Sequence, residues 1–129
     1  MSFPNEIALE TAAYENDFKI HFRISHASVS FHPKETEGEF VGSTGVSTFP
    51  GNNEVAILHN SFILAQYRKQ GFGMQKHIGM LKVLKAAGCT TVLCTVNHTN
   101  DAELNILRAN HWVEIGPVSA TATMWRKGL

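Results

Sequence analysis

The apolar residues of this chain change period near residue 66, and that change limits the folds open to it. Before that point they mostly alternate with polar ones, as in strands with one buried face. In Phe18-Lys19-Ile20-His21-Phe22-Arg23-Ile24, every second side chain is apolar, so one face is wholly apolar. Ala27–His32, Phe40–Phe49 and Val55–Leu64 are further strand candidates. His32-Pro33 separates two of them, and Pro50-Gly51-Asn52-Asn53 reads as a hairpin turn. The segment Ile7–Tyr14 fits a short helix and a strand equally well.

Beyond residue 66 the spacing turns helical. From Gly71 to Ala87, the residues Met74, Ile78, Leu81 and Leu84 form one amphipathic stripe, with Lys76, Lys82 and Lys85 off it as a solvated face. Gly88 is placed as the left-handed residue that ends the helix. Thr90–Val96 is β-branched and nearly all apolar, as expected of a strand covered on both faces. Asn100-Asp101-Ala102-Glu103 reads as a capping-box variant, with Asn100 as N-cap and Leu104, Ile106 and Leu107 on the buried side. Trp112–Ile115 and Thr121–Arg126 close the chain as strands around Gly116-Pro117. The expected fold is α/β with a mixed sheet (α+β in character), one domain over residues 1–129. Its first strand–helix–strand crossover should be parallel and right-handed.

Charge narrows the partners. Eleven basic and eleven acidic side chains cancel, which argues against a sequence-independent nucleic-acid binder and against a polybasic membrane-surface protein. No apolar run approaches the roughly 20 residues that span a bilayer. The start, Met1 to Glu6, has neither the basic nor the apolar region of a signal peptide. Two cysteines, Cys89 and Cys94, make no disulfide framework, so a reducing cytoplasm is the expected location. His21, His26 and His32 lack the spacing of a zinc site, and no metal is expected. Cys94, mid-strand among apolar neighbours, reads as inert core rather than as a nucleophile.

The stretch that carries chemistry joins the strand ending near Leu64 to the first helix: Gln66-Tyr67-Arg68-Lys69-Gln70-Gly71-Phe72-Gly73. A helix N-terminus offers unpaired N–H groups and a partial positive charge, and glycine lets a phosphate approach the backbone. A bare G-x-G is more often a turn without a ligand. Neither the P-loop pattern nor the three-glycine dinucleotide fingerprint is present. Arg68-x-x-Gly71-x-Gly73 instead resembles the R/Q-x-x-G-x-G/A signature of the GCN5-related N-acetyltransferase (GNAT) superfamily. Val96-Asn97-x-x-Asn100-Asp101-Ala102-Glu103-Leu104, ending at His111-Trp112, is similar to that family's later motif at the expected distance. The resemblance covers residues 54–126, and the short chain is also similar to small phage-type members.

The resemblance implies a sheet whose fourth and fifth strands splay apart around acetyl-CoA. Backbone amides of Arg68, Lys69, Gln70, Gly71, Phe72, Gly73 and Met74 would cradle the pyrophosphate. Phe62, Ile63 and Leu64 would pair with the pantetheine amides, and Asn100 would contact the cofactor or simply cap its helix. His59, on the strand bordering the acceptor cleft, is the preferred general base, with Glu54 second. A strand histidine facing solvent or a neighbouring strand has the same signature. The implied activity is acyl transfer, most simply acetyl transfer, to a primary amine. Three departures bear on this. Leu107 stands where the family carries the tyrosine that protonates the departing thiolate, help worth about 10²–10⁴-fold; the two tyrosines of this chain are Tyr14 and Tyr67. His111 replaces a glycine. Residues 1–53 are few and strand-rich, so the family's N-terminal helices are expected to be reduced or missing. A homodimer is expected to cover the apolar face of Phe18, Ile20, Phe22 and Ile24. The rival reading is a catalytically degenerate member, acting as a CoA-binding or protein-interaction module, virion-associated in a phage.

Overall fold

A computed structural model describes residues 20–25, 28–33, 40–49, 51–69 and 71–129. Ile7–Tyr14, Phe18 and Gln70 lie outside these residues, as does most of the segment expected to have lost its helices. The elements are β1 (Ile20–Ser25), β2 (Ser28–Pro33), β3 (Gly42–Phe49), β4 (Asn52–Ile63), a 3₁₀ turn (Ala65–Tyr67), α1 (Phe72–Ala86), β5 (Thr91–Asn97), α2 (Asp101–Ala109), β6 (Val113–Pro117) and β7 (Ala122–Gly128). One sheet contains the seven described strands in the order β1-β2-β3-β4-β5-β7-β6. Only β4 and β5 pair in parallel; the other described pairs are antiparallel. The expected mixed sheet with two helices is thus present.

Both helices end by the same device. Gly88 takes φ 96°, its N–H donates to the Lys85 carbonyl at 3.1 Å, and the Cys89 N–H reaches the Leu84 carbonyl at 3.0 Å. That is a Schellman closure, which needs a left-handed residue. After α2 the same pair of bonds runs from His111 to Arg108 (3.2 Å) and from Trp112 to Leu107 (3.0 Å). His111 supplies the left-handed position at φ 63°, so it stands where glycine would be least strained. At the other end of α2, Asn100 Oδ1 accepts from the Glu103 N–H at 3.2 Å, the cap expected from the sequence.

The core lies between the sheet and α1, where Val29, Phe31, Val46, Ala56 and Val92 meet Met80, Val83 and Leu84. The expected stripe on α1 needs correction. Its buried residues are Lys76, His77, Gly79, Met80, Val83 and Leu84, whereas Met74, Ile78 and Leu81 are half-buried. The helix serves two partners at once. Asn110 Nδ2 of the turn after α2 reaches Met74 Sδ at 3.2 Å, and a Cβ on Gly73 would sit 3.3 Å from Ile106 of α2. Met74 therefore faces α2, and the sheet takes the 76/80/83/84 side. Lys76 is buried rather than solvated; Lys82 and Lys85 are exposed as expected. The packing of the Ile20–Ile24 face is outside the described side chains.

Candidate active site

The site begins where β4 and β5 stop pairing. Their register runs from Val55 opposite Thr91 to Leu58 opposite Cys94 and goes no further, although β4 continues to Ile63 and β5 to Asn97. β4 stays bound to β3 on its other side up to Ile63. The wedge between the two strands opens toward the loop and α1.

Two cavities occupy the wedge. The inner one, of about 220 Å³, is walled by Leu58, His59, Cys94, Val96, Leu107 and Trp112 among others. The outer groove, of about 620 Å³, runs past Phe62, Ile63, Arg68, Lys69, Gly71, Gly73 and Met74. Four residues, Ser61, Lys76, Asn100 and Glu103, line both. They mark the passage from one to the other.

The loop is held open by its own backbone. Gly71 caps α1 at φ 84°, with no side-chain cap on the first turn and no acidic residue in it. The first-turn amides are thus unopposed donors, the arrangement that suits a phosphate. Lys69 also takes a left-handed conformation, φ 61°. Arg68 folds back, its Nε donating to the Ile63 carbonyl at 2.9 Å, and ties the loop to the end of β4.

The expected cofactor residues divide. Phe62, Ile63, Arg68, Lys69, Gly71, Gly73, Met74 and Asn100 line the groove. Leu64 and Phe72 line neither cavity. The Leu64 N–H is bonded to the Val41 carbonyl at 2.8 Å, and Phe72 packs edge-on against Tyr67. Of the two candidate bases, His59 reaches the inner cavity. It is exposed, and its Nε2 is 3.0 Å from Ser47 Oγ. Its ring lies over Gly45, opposite it on β3, where any Cβ would approach to 2.4 Å. Glu54 is exposed near the start of β4 and lines neither cavity; its carbonyl accepts from the Thr90 N–H at 2.8 Å.

Burial governs the charges within. Cys94 is pushed up to about 12, by burial first and then by Glu103, so its thiol stays protonated and inert. His77 is pulled down to about 4, by burial first and then by Lys76 and Lys127. The Trp112 indole N–H donates to its Nε2 at 2.9 Å, which fixes a neutral acceptor ring. Lys76 is lowered from the usual lysine value, chiefly by burial, against opposing pulls from Glu103 and Cys94. The Met74–Leu84 stripe puts Lys76 on the solvated face, whereas its offsets from Met80, Val83 and Leu84 (i, i+4, i+7, i+8) are the signal that places it inward. Leu107, wholly buried, walls the inner cavity and brings no proton donor there. Among the described residues no three His, Cys, Asp or Glu side chains converge as a metal site, and no helix is long and apolar enough to cross a membrane.

A strand pair that parts around a groove, with a glycine-capped helix at its mouth, is the arrangement expected from the resemblance to acetyltransferases, and sequence comparison agrees. The model of the acetyltransferase (GNAT) family matches residues 2–112, and the chain belongs to that family. Solved structures share the fold at low identity. An acetyltransferase from Thermus thermophilus superposes with a TM-score of 0.66 at 17% identity, over 89% of this chain and 68% of that one. The PaiA N-acetyltransferase from Thermoplasma acidophilum, in complex with coenzyme A, gives 0.66 at 12%, over 79% and 60%. A GNAT-family acetyltransferase from Streptococcus pneumoniae gives 0.63 at 13%, over 92% and 72%. No curated protein sequence matches the chain.

Proposed function

We propose that the protein is an acyl-CoA-dependent N-acyltransferase that moves an acetyl group from acetyl-CoA to a primary amine. The observation that carries this reading is the parting of β4 from β5 after Leu58 and Cys94, with the uncapped first turn of α1 at the mouth of the gap. Pyrophosphate suits the amides at Gly71 to Met74, which meet no carboxylate in that turn. The pantetheine arm suits the groove beside Phe62 and Ile63. An arm entering along that groove brings the thioester to the passage formed by Ser61, Lys76, Asn100 and Glu103.

The acceptor amine then enters the inner cavity. His59 lines that cavity from the β4 side and takes the amine's proton, directly or through water. The freed amine attacks the thioester carbonyl, and the tetrahedral oxyanion is held by strand-end amides. Leu107 cannot protonate the thiolate, so water does so, and the reaction is slower than with a tyrosine there. A reducing compartment suits the two free, buried cysteines.

Leu107 also favours a second reading: a degenerate member that keeps CoA binding and has lost transfer. Calorimetry with acetyl-CoA, run beside thiol release over a panel of primary amines, decides between them. Binding with amine-dependent thiol release supports the enzyme. Binding without release supports the degenerate reading, and no binding at millimolar acetyl-CoA removes both.

A further inference from the structure

Lys76 lies in the passage between groove and cavity, and the transfer just described makes no use of it. It is only 6% exposed. Its Nζ donates to Ser61 Oγ, on the part of β4 that has left β5. Ser61 Oγ in turn shares a 2.8 Å hydrogen bond with Thr44 Oγ1 of β3. Among the described residues the amine is thus held by the Ser61 hydroxyl at the point where the groove leads into the inner cavity. A neutral amine that donates one hydrogen to Ser61 keeps its lone pair free.

We propose that Lys76 is a self-acylation site: with an acyl-CoA in the groove, its Nζ attacks the thioester carbonyl carbon of the same complex. This rests on the acyl-CoA reading above. The C–N bond forms as the C–S bond breaks. CoA leaves as a thiolate and takes up the proton lost from the nitrogen, so the products are an Nζ-acyl Lys76 amide and free CoA. No further reactant is needed.

Two physical arguments favour the step. A buried ammonium is costly because it gives up its hydration, whereas the amide is neutral and still carries one N–H for Ser61. Acylation therefore removes a buried charge and keeps its hydrogen bond. Burial also lowers the affinity of Lys76 for a proton, which enlarges the free-base fraction that acts as nucleophile. The groups facing it limit this without abolishing it: Glu103 from α2 pulls toward the protonated form, Cys94 from β5 would do so only as a thiolate, and burial is the largest effect.

The test is to incubate the full chain with acetyl-CoA, follow intact mass, and map the modified peptide. One acetyl per chain is expected, on Lys76, at a rate per chain that does not change with protein concentration. Labelling should outpace that of Lys82 and Lys85, exposed on the same helix, by about tenfold or more, since a thioester held in the groove beside Lys76 reacts far faster than one met by diffusion. In urea the preference should vanish. Lys76→Met, which keeps an apolar stem of similar length, should bind acetyl-CoA and take no label. Should that variant fail to fold, the peptide map of the unaltered chain still decides. Calorimetric binding of acetyl-CoA without label on Lys76, or with label there no faster than on Lys82, overturns self-acylation alone. Absence of both binding and label overturns the acyl-CoA reading with it.

Discussion

The indole N–H of Trp112 donates to Nε2 of His77 across 2.9 Å, joining the turn between α2 and β6 to α1 through a buried bond. The partners lie 35 residues apart in the chain. The bond requires His77 to be neutral, since an imidazolium has no acceptor nitrogen.

That requirement predicts an acid-sensitive fold. His77 sits at about 4 in the folded chain, below the ordinary 6.5, so the unfolded chain binds the proton first as pH falls. The stability tied to neutral His77 is complete above about pH 6.5 and lost progressively down to about pH 4, by roughly 3 kcal/mol at the limit. Urea unfolding of the native chain should show this loss. His77→Gln, whose amide oxygen can accept from Trp112, should show a shallower loss over the same window. Identical slopes for the two proteins would refute the assignment.

Gly71 is where the loop turns into α1, at φ 84° and with open space where a Cβ would project. Gly71→Ala should fold and keep most of its acetyl-CoA binding, at a strain cost of about 1 kcal/mol. Gly71→Asp adds a carboxylate beside the first-turn amides and should weaken binding about tenfold or more, or roughly 1.4 kcal/mol. Calorimetry on both variants separates strain from charge. Equal binding by the native and Asp proteins would remove the loop from the site.

Gly45 gives the His59 ring its place, because a Cβ there would come within 2.4 Å of it. Gly45→Ala should swing the ring off β3 and cut amine-dependent thiol release about 10²-fold, the scale of a lost general base. His59→Gln should cost as much. The double variant should be no worse than either single one, because both remove the same interaction. Additive losses would mean that Gly45 acts on something other than His59.

His111 closes α2 in a left-handed conformation, φ 63°. Stability should rank Gly above His above Val at this position, with a total span of about 2 kcal/mol. Urea midpoints for His111→Gly and His111→Val test the order, and a destabilised glycine variant would contradict it.

Among the described strands the outer two are β1 and β6, and on β6 the side chains of Val113 and Ile115 are more than half exposed, at 53% and 54%. Apolar side chains exposed on an outer strand favour pairing with a second copy. Light scattering at micromolar concentration should give twice the chain mass of 14.2 kDa. A mass that stays at the single-chain value would rule the dimer out.

Much of the local structure could be read from residues taken a few at a time. Asn100 caps α2 and Gly88 ends α1 because each signal acts through backbone bonds to neighbours within one helical turn. The alternation before residue 66 marks strands because a pleat sends successive side chains to opposite faces whatever lies beyond them. The Arg68–Gly73 spacing marks the loop for the same local reason. Depth is a different matter. Whether Lys76 meets water or Ser61, and whether Glu54 reaches the wedge, depends on where β4 leaves β5, and that point is set by pairing between strands some 36 residues apart, Val55 with Thr91 through Leu58 with Cys94. The α1 stripe differs from its spacing because the helix packs on the sheet and on α2 together, and one periodicity cannot separate two packing faces. Sequence by itself determined the described strands and helices and placed their ends to within a few residues, since those are settled largely by near neighbours. Only the tertiary structure decided which side chains lose their water, since desolvation comes from residues far along the chain, and at this site desolvation is the largest influence on the proton affinities of Lys76, His77 and Cys94.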